Sequence, residues 1–595
     1  MSSTLCEGRS QPAVLSLQPD PVHAILHLPP DDGSRKQIAV LICAPFGWEE
    51  MCSHRGRRAW ALTLASLGYP TARFDLPSTG NSGGLASDPD RLDAWTGAVA
   101  GTAAWLRERT GAARVAAIGI GLGGMLAVRA LSEGAAIDDL VLWAVPAKGR
   151  LLVREMRAYA SVVAARRPED SRPETLAHGD LELTGFLLSA ETADALSKLE
   201  LTSLRLPDAG GSRVLMLGRD GLAVDAGLRA HLEHTGASVT AQDTDDYATL
   251  MESPQESRTP VQTIAKTIAW LDAGPSCVMR APPPPPTATR PTMKLESGET
   301  AIEETPILFD GELGGLFGIL SEPPRSERGP VCAVLLNGGA LRHIGPSRTW
   351  VEIARRWAAR GVPTVRIDMP GIGESDGDAR EPVPDSSFYT PQRIEQTLAI
   401  LDRLADQGLP DRFVLGGLCS GAYWSLHAAL ADPRVRGALM INLYSVFWSA
   451  ELVAERDTGQ SLGALRGRAW RRLVNRDLTA AQARTALAAM RPSQLRSSAG
   501  NPVERSQSRE IERAFDQLHA QGTHGLMLLS RGEGLYDQLM RIGLIERIDR
   551  WPNLSIEQLP TSDHMFRAIW LQQHVHGLLD DALERVLESE SRATR

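Results

Sequence analysis

The sequence predicts an α/β protein built twice: two tandem folds, each a mostly parallel sheet flanked by helices, joined by a proline-rich linker. Three observations carry this. The stretch GYPTARFDLPSTGNSGG (68–84) returns as GVPTVRIDMPGIGESDG (361–377), with Gly68, Pro70, Thr71, Arg73, Asp75, Pro77, Gly80, Ser82 and Gly84 repeated at one constant offset. Such self-similarity is the mark of an internal repeat. Within each copy, short aliphatic runs alternate with amphipathic segments, the pattern of parallel strands covered by helices. Between the copies, residues 274–298 contain APPPPPTATRPT, which suits a stiff extended connector rather than a packed element.

The elements follow in order in the second copy. VCAVLLN (331–337) reads as a strand, and TWVEIARRWAARG as a helix closed by glycine. PTVRID is the next strand and RIEQTLAILDRLADQG the next helix. RFVLGG then runs into the turn at Cys419 and a helix through AYWSLHAAL. Later, Gly525 to Leu529 reads as a strand, and SIEQLPTSDHMF as a strand ending at Asp563-His564. Segments 150–205 and 445–520 interrupt the alternation and read as mostly helical caps. The expected domains are therefore 1–273 and 299–595, with 274–298 as the linker.

With 595 residues, the chain exceeds what one core usually supports. Its net charge of −9 argues against nucleic acid as a partner. There is no apolar run long enough to span a membrane and no signal-peptide pattern at the start. Six cysteines without CxxC spacing suggest neither a disulfide framework nor a metal site, so a reduced, cytoplasmic protein without cofactor is expected.

The chemistry concentrates at VLGGLCSGAYWSL (414–426). A nucleophile between two glycines at a strand-to-helix bend sits in a tight turn, and small neighbours let that turn close. Gly417 and Gly421 flank Cys419 in this way. The helix that follows points its N-terminus at the sulfur and favours thiolate. The backbone N–H of Ser420 is one candidate oxyanion donor. The second is Gly338 or Gly339, in the loop after strand 331–336. A base and an orienting acid are expected later in the chain, in that fold's order of nucleophile, acid, histidine. His564 fits the base. Glu533 fits the acid, because Gly534-Leu535 matches Gly221-Leu222 after Asp220, and Asp537 is the alternative. His343 reads as a loop residue beside the oxyanion segment, and Asp368, repeated as Asp75, as structural.

At these residues the chain resembles the α/β-hydrolase superfamily, and the G-x-C-x-G elbow is similar to its cysteine variants. More narrowly, APFGWEEMCSHR in the first half, and GLCSGA, NLYSVFW and LPTSDHMF in the second, resemble hydrolase-like proteins associated with exosortase systems. The resemblance implies Cys419 as nucleophile, Glu533 as acid and His564 as base, with Glu standing where Asp is usual.

The first copy has lost this set. Gly121 aligns with Cys419 and Tyr247 with His564, Pro45 removes an N–H from the oxyanion loop, and only Asp220 remains. The front half is expected to be catalytically silent and to pack on the second, supporting it, shaping its entrance or binding a ligand. The expected activity is acyl processing through a thioester on Cys419, by a thioesterase, esterase, acyltransferase or cyclase acting on a small-molecule or carrier-bound acyl substrate, with specialised metabolism as one setting. The alternative is a non-catalytic tandem scaffold or binding protein.

Overall fold

The computed structural model describes residues 10–30, 35–165, 176–206, 212–275, 291–298, 300–309, 313–378, 381–447 and 502–594. Two large sheets dominate it. The first contains β1 (Ser10–Leu15), β2 (Val22–His27), β3 (Ile38–Cys43), β4 (Thr71–Phe74), β5 (Arg114–Ile120), β6 (Asp139–Trp143), β9 (Arg213–Leu217) and β10 (Ser238–Gln242), in the order β1-β2-β4-β3-β5-β6-β9-β10. A ribbon of β7 (Leu181–Leu183) and β8 (Phe186–Leu188) stands apart. The second sheet contains β11 (Met293–Ser297), β12 (Thr300–Phe309), β13 (Leu316–Glu322), β14 (Val331–Leu336), β15 (Thr364–Ile367), β16 (Arg412–Leu418), β17 (Val435–Ile441), β18 (His524–Ser530) and β19 (Leu554–Leu559). Its order, β11-β12-β13-β15-β14-β16-β17-β18-β19, repeats the first with one added edge strand.

In both sheets the leading strands are antiparallel and the rest are parallel. The central strands explain why. Ile38–Cys43 and Val331–Leu336 are buried along their whole length, so both faces must be covered by helices. No helix among the described residues is long and apolar enough to cross a membrane.

Two local expectations need correction. The strand read through Asp563-His564 ends at Leu559, because Pro560 opens a loop that carries both residues. Met293–Ser297, read as linker, alternates buried and exposed positions and pairs antiparallel with β12 as an edge strand. The first cap, expected to be mostly helical, is helix Gly149–Ala165, the short β7–β8 ribbon and helix Ala190–Lys198. Of the second cap, 448–501 lies outside the described residues, and helix Pro502–Gln521 follows it. The proline run at 282–286 also lies outside them.

The repeated loops after β4 and β15 face each other. Arg73 donates to both oxygens of Glu374, Nη1–Oε1 at 3.0 Å and Nη2–Oε2 at 2.6 Å. At the repeat-related positions, Arg366 donates to Asn81 Oδ1 at 2.8 Å. Each loop is braced identically from within. Ser82 Oγ donates to the carbonyl of Asp75, and Ser375 Oγ to that of Asp368. The rings of His23 and Phe317, again equivalent in the two sheets, meet at 6.3 Å. One patch used from both sides is the geometry of a two-fold dimer contact, here within one chain. The apolar interior is shared as well: one cluster contains Leu126 and Phe186 together with Trp350 and Phe566.

Candidate active site

Cys419 follows β16 and precedes the helix Ser420–Ala431, with φ 55° and ψ −109°. A non-glycine residue held there stores about 1–3 kcal/mol of backbone strain. Close packing enforces the bend. A Cβ on Gly417 would lie 2.2 Å from Gly421 C, and one on Gly421 would lie 2.3 Å from Asn337 O. The thiol is nearly buried, with Sγ 3.4 Å from the Tyr389 hydroxyl.

His564 lies on the loop between β19 and the final helix Ile569–Thr594. Its Nδ1 is 2.7 Å from Oε1 of Glu533, the residue capping helix Gly534–Arg541 after β18. Asp537, the alternative acid, lies inside that helix. Burial disfavours the imidazolium, but hydrogen bonds to Cys419 and Glu533 outweigh it and push the His564 pKa up to about 10. The side chain keeps 39% of its surface, so the ring is open on one side. The carboxylate of Glu533 is thus set against Nδ1 of His564, and Cys419 is among the groups that raise the pKa of that imidazole.

The oxyanion candidates are also brought together. Ser420 opens its helix, where first-turn N–H groups lack intrahelical partners. Gly339 N–H donates to Ser420 Oγ at 2.9 Å, which engages one of the two candidate loop donors. Gly338 packs against Leu418. His343 is buried, with Nδ1 2.7 Å from Asp368 and Nε2 3.1 Å from Asn81, so both ring nitrogens are engaged. Asp368 also accepts from Asn337 Nδ2 and from two backbone amides, a structural role.

Three contributors were missed in the sequence. Tyr389 ends a short turn in SSFYTP and touches the thiol, with no motif to announce it. Asn442, at the end of β17, donates to the carbonyl of His564 at 2.6 Å. Ser530, at the end of β18, donates to the carbonyl of Asp563 at 3.1 Å. Asn442 and Ser530 at least lie at strand ends, where sites of such sheets gather.

The corresponding turn of the first half has the same shape, Gly121 at φ 53° and ψ −116°, without a side chain. Tyr247 is buried over it, its hydroxyl donating to Glu49 Oε1 at 3.2 Å. Asp220 accepts from the backbone of Ala248 instead.

Residues 333–580 match the model of the alpha/beta hydrolase family. The fold is that of the α/β hydrolases. That match supports a hydrolase activity in general terms. Among solved structures, an α/β serine hydrolase without a lid from Xanthomonas campestris is 16% identical, covers 46% of this chain and 100% of its own, and has a TM-score of 0.29. Est1E from Butyrivibrio proteoclasticus, solved with ferulic acid, is 13% identical over 44% of this chain and 98% of its own, TM-score 0.32. An esterase from Pyrococcus furiosus is 17% identical over 44% and 90%, TM-score 0.30. No curated protein matches the chain.

Proposed function

We propose that the second half of this α/β-hydrolase-fold chain, residues 299–595, is an acyl-processing enzyme with Cys419 as nucleophile, His564 as base and Glu533 as the orienting acid. The reading is carried by the hydrogen bond from His564 to Glu533, and is supported by Cys419 joining Glu533 in raising the His564 pKa. With Nδ1 committed to Glu533, Nε2 takes the thiol proton. The thiolate attacks the acyl carbonyl and a C–S bond forms. The bond to the leaving group breaks as the imidazolium returns the proton to that group. Water, an alcohol, an amine or a carbanion then attacks the thioester, and the sulfur leaves as thiol. Ser420 N–H stabilises the oxyanion, joined by Gly338 N–H or by Gly339 N–H once the Ser420 hydroxyl turns from it.

The first half, residues 1–273, is read as silent in this chemistry, because Gly121 has no side chain to attack with and Tyr247 is a poor base. Its packing on the second half through Arg73, Arg342 and Glu374 supports a bracing role. The narrower likeness to exosortase-associated proteins stands as part of this proposal, as do the thioester and carrier-bound acyl substrates.

The test is acylation followed by intact mass. Incubation with short-chain acyl thioesters is expected to add one acyl group to the wild-type chain, none to Cys419→Ala, and to proceed at least about 10³-fold more slowly in His564→Ala. Slow labelling indifferent to His564 would leave the scaffold reading in its place.

A further inference from the structure

A cavity of about 500 Å³ opens over the glycine turn of the first half, within the roughly 300–1,000 Å³ span of small-molecule sites. Much of its wall is apolar, including Phe46, Leu142, Met156 and Met216, while Glu49, Glu155, Arg219 and Asp225 also line it. Its floor is Gly121, where an added Cβ would touch nothing closer than 3.9 Å. The two atoms at that distance are Glu49 Oε2 and the Tyr247 hydroxyl oxygen. The polar end of the cavity is therefore aimed at the space a nucleophile would occupy.

We propose that this cavity is a binding site for an apolar chain ending in a hydrogen-bond donor, an aliphatic amine or alcohol, with its head group over Gly121. The hydrogen-bond inventory sets the head group. Tyr247 gives its only O–H to Glu49 Oε1 and its oxygen also interacts with Arg219, so Glu49 Oε2 is the acceptor that remains. Arg219, over the Tyr247 ring at 5.4 Å, is engaged by Glu155 at 3.1 Å. A ligand carboxylate would meet the Glu49 carboxyl head-on, whereas an ammonium would complement it, as Arg219 does only in part against burial. Burial already pushes the Glu49 pKa up, which fits a carboxyl short of a counter-charge. The site does not depend on the acyl chemistry proposed for Cys419.

Calorimetric titration of the full chain with octylamine, octan-1-ol and sodium octanoate at neutral pH tests this. Octylamine and octanol are expected to bind saturably at one site, and octanoate roughly tenfold more weakly or not at all. Gly121→Met fills the floor in a backbone conformation that Cys419 itself adopts, and is expected to abolish both signals; Met156→Trp, from the opposite wall, repeats the test should the first variant fold poorly. Glu49→Gln is expected to weaken octylamine about tenfold while leaving octanol within about threefold. Binding should persist in Cys419→Ala, which separates this site from the proposed catalytic one. Absence of saturable binding by octylamine and octanol, octanoate binding as tightly as either, or affinities indifferent to both cavity-filling variants would overturn the proposal.

Discussion

Glu374 and Arg73 form a bidentate ion pair across the two halves, while the repeat-related contact, Arg366 to Asn81, has an amide in place of the carboxylate. The charge was not simply dropped on one side: Arg366 also reaches Glu304 at 2.8 Å. Arg73, by contrast, has Glu374 as its ion-pair carboxylate, with both side chains about 5% exposed. Burial opposes charge on Glu374, but Arg73 and His54 hold its carboxyl well below the usual range.

Removing that carboxylate should be costly. Glu374→Gln leaves a buried guanidinium without its ion-pair partner and is expected to destabilise the chain by about 3–5 kcal/mol. Adding Arg73→Met should recover much of the loss, since a buried ion pair is often replaceable by apolar side chains. Denaturant midpoints of the two variants and the double variant check both halves of the statement.

Acid should loosen the same contact first. Burial, with Arg342 beside it, lowers the His54 pKa to about 4, and burial with Arg73 lowers His27 well below its ordinary value. Between about pH 6.5 and 4 the unfolded chain binds protons that the folded chain refuses, so stability falls as pH falls. For His54 the loss by pH 4 is on the order of 3 kcal/mol. Glu374, with its depressed pKa, adds to the loss below its ordinary range. Thermal midpoints across this window should slope downward toward acid, and His54→Asn should flatten the slope.

The fold was legible because duplication repeats rigid requirements. Gly417 and Gly421 cannot carry a Cβ, and neither can Gly119 and Gly123, so all four recur and reveal the turn. Cys419, Glu533 and His564 were named from chain order, and of these the structure sets Glu533 against His564. Tyr389 and Asn442 were not, because a tyrosine in a turn and an asparagine after a strand have many ordinary uses. Nor could spacing show that Gly339 N–H meets Ser420 Oγ, a contact between segments 81 residues apart. The cavity over Gly121 was invisible for a different reason: it is defined by what a glycine leaves unfilled.

Asn442 tests whether the histidine loop needs an anchor. Its amide donates to the carbonyl of His564 and to Ser530 Oγ, and accepts from Ser530 N. Asn442→Ala is expected to slow acylation by about 10–100-fold through misplacement of the imidazole. If the residue acts by positioning, Asn442→Ala should lower the plateau rate without shifting the pH midpoints of the profile. Single-turnover acylation against pH distinguishes this from a general loss of folded protein.

The strongest test of the site is the pH dependence of thiol alkylation. An isolated cysteine becomes reactive only as it ionises near pH 8.5. In the proposed pair, the imidazolium of His564 survives to about pH 10, held there by Cys419 and Glu533 against the effect of burial. The thiolate beside it should therefore already be present well below pH 8. Wild-type alkylation by iodoacetamide is expected to be nearly flat from about pH 6.5 to 9, whereas His564→Ala should rise through the free-thiol range and Glu533→Gln should fall between them. The same raised pKa sets a stability trend of opposite sign to that of His54. The His564 contribution is complete below its ordinary value near 6.5 and is lost as pH rises through about 10. Alkylation of the wild type that simply tracks an ordinary thiol, with no response to His564→Ala, would show that sulfur and imidazole do not work as a pair.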